Sequence, residues 1–115
     1  MKYPIPGKPV PKGRPRVNKN GRTWTPARTR QYEELVALHT KAAMARERWE
    51  HDGNVRVELA IEKHQVVVNV EPSERERFGQ FDVDNVFKAV ADGMEKAGVF
   101  KNDRRIVEMV AYFKE

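Results

Sequence analysis

The chain has 115 residues, with 22 Lys and Arg against 17 Asp and Glu for a net charge of +5, and it has no Cys. That length suits one domain with a modest core, and the lack of Cys excludes a disulfide framework, a thiolate metal site and a cysteine nucleophile. No apolar run nears the ~20 residues of a membrane helix and no apolar N-terminal segment of signal-peptide type is visible, so the expectation is a soluble, cytoplasmic protein.

The charge is unevenly spread. Residues 1–30 carry Lys2, Lys8, Lys12, Arg14, Arg16, Lys19, Arg22, Arg28 and Arg30 and no acid, +9 in all, so the remaining 85 residues sum to −4. A basic arm on an acidic body points to a polyanionic partner, most simply nucleic acid. A solubilising tail is the plainer alternative, but such tails rarely mix prolines, glycines and aromatics in this way.

In chain order, Lys2 to Ile5 reads as a short edge strand, since prolines interrupt the residues after it. Residues 6–16 hold four prolines and two glycines, which exclude helix and leave extended segments and turns. Asn20-Gly21 is a hairpin turn signal flanked by Val17 and Trp24, so residues 14–24 are expected to form a basic hairpin. Trp24 has two readings, packing against the core or stacking on an exposed base; packing is favoured because Trp is mostly buried. Thr25-Pro26 starts a helix, Thr as N-cap and Pro in the first turn, running to about Trp49 and stopping by Asp52-Gly53. Its expected apolar face is Tyr32, Leu35, Val36, Leu38, Ala42 and Ala45, with Ala43 and Met44 near it. Arg28 and Arg30 lie in its first turns, against the dipole, which again suggests a partner. His39 has no other His within a turn and reads as a surface or half-buried residue, not a metal ligand.

Val55, Val57, Leu59 and Ile61 alternate with polar residues, the pattern of a half-buried strand. Val66 to Val70 is a second β-rich run, and the phase change at Lys63-His64-Gln65 allows either a tight hairpin or one bulged strand. Glu71 to Gln80 reads as a mobile loop, with Glu74-Arg75-Glu76-Arg77 assigned to solvent. A second helix runs from Asp82 to Ala97, with Gly98 in the C′ place. A last strand is expected from Ile106 to Phe113, with Val107, Met109, Ala111 and Phe113 facing one way.

The second helix carries the chemistry. Val83, Val86, Phe87, Val90 and Met94 form its apolar stripe. Asp84, Lys88 and Asp92 recur at steps of four and share another face. In the plain reading Asp82 caps the helix, Asp84 pairs with Lys88, and nothing reacts. In the functional reading Asp82 and Asp84 converge on a divalent cation, which takes carboxylate oxygens, water and substrate phosphate, while Lys88 neutralises a phosphate. Asp-x-Asp alone is a weak signal; Asp-x-Asp-Asn-x-x-Lys leading an amphipathic helix is much stronger. Asp103 is within reach. The helix from Asp84 to Ala97 is about 21 Å long, and six extended residues from Gly98 to Asp103 cover about 20 Å. A reversal at Gly98 therefore returns Asp103 to the helix start as a third carboxylate. The alternatives are that a dimer partner supplies that carboxylate, or that Asp103 only begins a turn with Asn102.

Two blocks of this sequence resemble the RusA family of Holliday-junction resolvases in its phage-like form. One is Pro9-Val10-Pro11-Lys12-Gly13-Arg14-Pro15-Arg16 leading to Tyr32. The other is Asp82-x-Asp84-Asn85-x-x-Lys88, followed by Asp92-Gly93, Gly98-Val99 and Asn102-Asp103 before Ile106-Val107. The agreement covers nearly the whole chain, although residues 50–80 match only in style. The resemblance implies a single α/β (α+β) domain over residues 1–115 that includes the basic arm 1–25, with a small mixed sheet packed with two main helices. It further implies a homodimeric endonuclease that cuts four-way DNA junctions with magnesium, manganese substituting. The family's catalytic acids fall on Asp82, Asp84 and Asp103, which are also its metal ligands, and its catalytic lysine falls on Lys88. Lys8, Lys12, Arg14, Arg16, Lys19, Arg22, Arg28 and Arg30 would grip the junction arms through phosphates. The family often has an acid where this chain has Asn102, and Leu where it has Met94. A nuclease for other branched DNA, and an inert junction-binding protein, remain as rival readings.

Overall fold

A computed structural model of the chain describes residues 1–12, 16, 17, 21, 23, 24 and 26–114, with backbone alone at 16, 17, 23 and 24. It forms two compact units, Met1–Ser73 and Glu74–Glu115. The first contains β1 (Lys2–Pro6), β2 (Arg16–Val17), β3 (Thr23–Trp24), α1 (Ala27–Glu47), β4 (Val55–Ile61) and β5 (Gln65–Pro72). The second contains α2 (Val83–Ala97) and a 3₁₀ turn at Asp103–Arg105. The class is α+β, and strand pairing is antiparallel throughout.

The main sheet has the order β1-β5-β4. Pro4 and Pro6 have no N–H to give a second neighbour, which suits β1 to the edge it occupies. The N-terminal ammonium donates to the Val70 carbonyl at 2.7 Å, and the Gly7 N–H donates to the His64 carbonyl at 2.9 Å, closing both ends of the β1–β5 pair. The β4–β5 connection is a tight hairpin, with Ile61 opposite Val66 and the Glu62 N–H bonded to the Gln65 carbonyl at 2.9 Å. Two-residue pairings, Arg16 with Trp24 and Val17 with Thr23, make the hairpin expected in the basic arm. The side chain of Trp24 lies outside the described residues, as do Arg14, Lys19, Arg22 and Thr25.

Tyr3 and Ile5 stand opposite Val68 and Val66 on one sheet face, and with Ala43 of α1 they form the core, flanked by Tyr32, Leu35, Val36 and Val70. The α1 face agrees with the expected one at Tyr32, Leu35 and Val36 and departs from it elsewhere. Thr29 and Ala43 are buried and Tyr32, Leu35, Val36 and Thr40 half-buried, whereas Leu38, Ala42 and Ala45 are exposed. Small Ala43 packs among Tyr3, Ile5, Val66 and Val68, and the Tyr3 hydroxyl bonds the Thr40 hydroxyl at 2.7 Å, which fixes the helix face turned to the sheet. The helix also starts one residue later than expected, with Pro26 in the N-cap place, and ends at Arg48 in a left-handed conformation (φ 50°).

β4 is the expected strand but not a half-buried one. Val57, Leu59 and Ile61 pair with Val70, Val68 and Val66, so they share the core face, yet they are 54–72% exposed. The reason is that α1 lies over β1, at the far edge of the sheet.

In the second unit α2 begins after Asp82 and ends in a Schellman arrangement. Gly98 has φ 90°, its N–H reaches the Glu95 carbonyl, and the Val99 N–H reaches that of Met94. Ala91 is buried and Phe87 and Met94 half-buried, while Val83, Val86 and Val90 are exposed. The strand expected over 106–113 is absent. The second unit has no strand among its described residues, and a lone extended segment has no ladder to join. Side chains hold the segment instead. Phe113 stacks on Phe81 at 5.9 Å and meets Phe78 edge-on at 5.4 Å, while the Arg75 guanidinium lies 4.0 Å over the Tyr112 ring and donates to the Phe113 carbonyl. The expectation that Glu74–Arg77 is simply solvated is thereby corrected for both arginines, since Arg77 is also engaged, with the Phe81 carbonyl and Asp82. No helix among the described residues is long and apolar enough to cross a membrane.

Candidate active site

The approach to α2 is shaped by residues 77–81. Gly79 has φ 75°, and a Cβ there would run into the Phe81 ring, so only glycine makes this turn. Folding Phe81 back turns its carbonyl toward Arg77, whose Nη2 donates to it at 2.7 Å. The same Nη2 lies 3.6 Å from Asp82 Oδ1. Asp82 has the extended backbone of an N-cap (φ −92°, ψ 151°), but its side chain makes no capping bond. Its carboxylate is turned toward Arg77 instead, which departs from the plain reading of Asp82 as a cap.

Asp84 sits in the first turn of α2 and makes no ion pair with a described residue. Lys88, one turn on, does not turn back to it. Its Nζ lies 3.1 Å from Asp92 Oδ1 and 3.3 Å from Asp103 Oδ2, two carboxylates against the one on Asp84. Hydrogen bonds that the Lys88 ammonium donates, to Asp92 first and to Asp103 second, raise its pKa above the ordinary value. Lys88 is therefore a fixed positive charge at neutral pH, suited to holding an anion and not to taking a proton.

Asp103 arrives at Lys88 because the chain reverses at Gly98 and returns through bends, and it meets α2 at Lys88 without completing a three-carboxylate group at the helix start. Asn102 sets its direction: the Asn102 side chain accepts from the Arg104 N–H at 3.0 Å, capping the 3₁₀ turn and leaving the Asp103 carboxylate to face α2. Turn formation with Asn102 and proximity to the helix thus coexist. All these groups are accessible; Asp82 is 70% and Asp103 58% exposed, so the pairs are loose and solvent-screened.

The donor set suits a hard divalent cation in chemistry, being carboxylate oxygen throughout. Among the described residues, however, no three acidic or imidazole side chains stand close enough to hold one ion. Two of the three carboxylates are met by the chain's own cations, Asp82 by Arg77 and Asp103 by Lys88. Glu71 is paired with Arg56 across the β4–β5 hairpin.

The basic residues expected to meet DNA lie in the first unit. Lys8, Arg28 and Arg30 are exposed, and Lys12 is paired with Glu33 at 2.6 Å. Arg16 lies on β2, and Arg14, Lys19 and Arg22 are outside the described residues. Sequence reasoning missed Arg77, because an arginine in an aperiodic loop carries no spacing signal. The Lys88–Asp92 contact was visible in the step of four.

The family described as Endodeoxyribonuclease RusA matches residues 6–115. The chain is similar to the crossover junction endodeoxyribonuclease RusA of Aquifex aeolicus (strain VF5), 31% identical over 102 residues that span 88% of this chain and 70% of that protein. No solved structure matches.

Proposed function

The chain belongs to the RusA family of endodeoxyribonucleases, and from that premise we propose that it is a Holliday-junction resolvase that makes paired, symmetric, metal-dependent nicks in four-way DNA junctions. It is a nuclease of the crossover-junction class. The observation that carries the finer reading is the return of Asp103 to Lys88 on the helix that begins with Asp82 and Asp84. Four groups of the right type, separated by up to 21 positions in sequence, come from two ends of one small unit.

Asp82, Asp84 and Asp103 would hold magnesium, or manganese in its place. Bound there, the ion supplies an activated water and charge neutralisation at the scissile phosphate. The chain's own residues do the rest. Lys88 offers its ammonium to a non-bridging phosphate oxygen. The carboxylates, deprived of Arg77 and Lys88 when these turn to phosphate, are left for the cation. Lys8, Lys12, Arg14, Arg16, Lys19, Arg22, Arg28 and Arg30 hold the DNA arms through backbone phosphates, without reading sequence. A two-fold homodimer supplies two such sites for opposing strands.

The test is cleavage of a labelled four-way junction beside a linear duplex of the same sequence, with magnesium, with chelator, and with Asp82→Asn. Symmetric paired nicks on the junction alone, lost in chelator and reduced at least about 10²-fold by Asp82→Asn, are expected. Cutting of both substrates would show a general metal nuclease. Binding without cleavage in any divalent cation would sink the enzymatic reading.

A further inference from the structure

The second unit gathers aromatic rings and guanidinium groups directly before Asp82. Phe78 meets Phe81 edge-on at 6.2 Å and Phe113 edge-on at 5.4 Å, and Phe81 stacks on Phe113 at 5.9 Å. The Arg75 guanidinium lies 4.0 Å over the Tyr112 ring, and that of Arg77 lies 5.9 Å over Phe113. Rings in mutual contact ordinarily seed a core, yet Phe78 is 56% exposed, Phe81 41% and Tyr112 55%. Contiguous exposed rings rimmed by charge mark a binding surface. We propose that Phe78 and Phe81, together with Phe113, form a stacking platform for a nucleobase left unstacked at the exchange point of branched DNA. The inference takes its substrate from the function proposed above and involves no metal.

The chemistry of the patch favours a base. Every nucleobase has a flat π-face, and proteins that hold unpaired bases combine aromatic rings with arginine. Here it is Arg75 and Arg77 that are laid against the rings, and not the neighbouring Glu74 and Glu76. The turn at Gly79, with φ 75°, leaves the Phe81 ring in the space a Cβ would take, so the platform is set before any substrate arrives. Phe81 also directly precedes Asp82, so a base held on it keeps its own phosphate close to the acids proposed as catalytic. In continuous duplex each base is stacked on both sides and is costly to extrude, whereas a branch point interrupts the stack. The platform thereby supplies a preference for branched DNA that a grip on phosphates alone lacks. A contact between two copies of the chain is the competing account, since interfaces are also rich in aromatic residues and arginine. Such a contact would cover the approach to Asp82, which DNA has to reach.

The two accounts separate in binding without cleavage. Binding of the full chain to a labelled four-way junction and to a linear duplex of the same sequence, at one salt concentration and in chelator, would compare wild type, Phe78→Leu and Phe78→Trp. Leucine keeps apolar bulk against Phe81 and Phe113 but removes the flat face, whereas tryptophan enlarges it. Phe78→Leu is expected to weaken junction binding about tenfold and to leave duplex binding within about twofold, and Phe78→Trp to bind the junction at least as tightly as wild type. A 2-aminopurine at the exchange point should change its emission when wild type binds and not when Phe78→Leu binds, and the same probe in the middle of an arm should be silent with both. A Phe78→Leu variant that binds both DNAs like wild type, or loses both equally, would overturn this inference alone. Loss of self-association by Phe78→Leu in sedimentation velocity would also overturn it and give the patch to a second copy. Wild type that holds junction and duplex alike, and cuts neither in any divalent cation, would instead overturn the resolvase reading and this inference with it.

Discussion

At the level of single residues, Gly79 and Lys88 show how little sequence separates a structural requirement from a chemical one. Gly79 lets the chain pass Phe81 and brings the Phe81 carbonyl to Arg77. Gly79→Ala has to accommodate both the positive φ and the collision with the ring, so thermal melting should report a loss of about 1–2 kcal/mol; a melt equal to wild type would show that the turn relaxes freely. Lys88 makes a prediction about pH. Its pKa is raised in the fold by Asp92 and then Asp103. The stabilisation from a raised lysine is fully present below its unfolded pKa of about 10.4 and is lost only as pH rises through the higher folded value. The stability difference between wild type and Lys88→Met should therefore be flat from about pH 6 to 9 and shrink only above about 10.4, as denaturation midpoints across that range would show. The same residues mark what was legible. The Lys88–Asp92 contact follows from their step of four, and the approach of Asp103 to α2, though to Lys88 and not to the helix start, follows from a reversal at Gly98. Arg77 does not, because its place beside Asp82 depends on a glycine turn and two phenylalanine rings that no periodicity encodes.

At the level of elements, patterns told strand from helix well and told little about what covers each face. The alternation of Val55, Val57, Leu59 and Ile61 identifies β4 and its core-side face correctly. It cannot say that α1 will settle over β1, where Tyr3 and Thr40 bond and Ala43 packs, and leave β4 open. The face of α1 is legible at Tyr32, Leu35 and Val36 and not at the remaining positions, for a related reason. Leucine and alanine count as apolar in any periodic scheme, but Thr40 bonds Tyr3 and Ala43 enters the core, and Leu38, Ala42 and Ala45 turn outward. The segment Ile106–Phe113 alternates like a strand, but alternation is not sufficient for a sheet, because a strand also needs a neighbour. Helix ends give the clearest test. α1 and α2 finish with the same pair of backbone bonds, yet α2 has Gly98 in the left-handed position and α1 has Arg48. A side chain at φ 50° carries strain that glycine avoids, so Arg48→Gly should stabilise the protein by about 1 kcal/mol. A lower melting temperature for that variant would show that the arginine side chain has a compensating role.

At the level of the whole molecule, the partition of charge and the proposed pairing of two chains bear on one question, how two strands come to be cut. Residues 1–30 carry +9 and the remainder −4, so attraction to a phosphate backbone is concentrated in the arm, while the acids proposed as catalytic lie in the acidic remainder. Phosphate-mediated grip reads no sequence, and selectivity must then come from the shape of the substrate. A junction has two-fold related strands, and a homodimer presents its acids and arms with the same symmetry. One chain has one Asp82, and so one strand to cut. If the cuts are made within a dimer, mixing wild type with Asp82→Asn has a specific consequence. With the variant in about ninefold excess and subunits allowed to exchange, nearly all active chains sit in mixed dimers with one working site. These should nick one strand of the junction, and gel analysis should show nicked four-way junctions accumulating while resolved duplexes all but vanish. Full resolution at the rate expected for the diluted wild type would show instead that each chain cuts alone and in succession. In that case the two-fold symmetry would belong to the DNA and not to the protein.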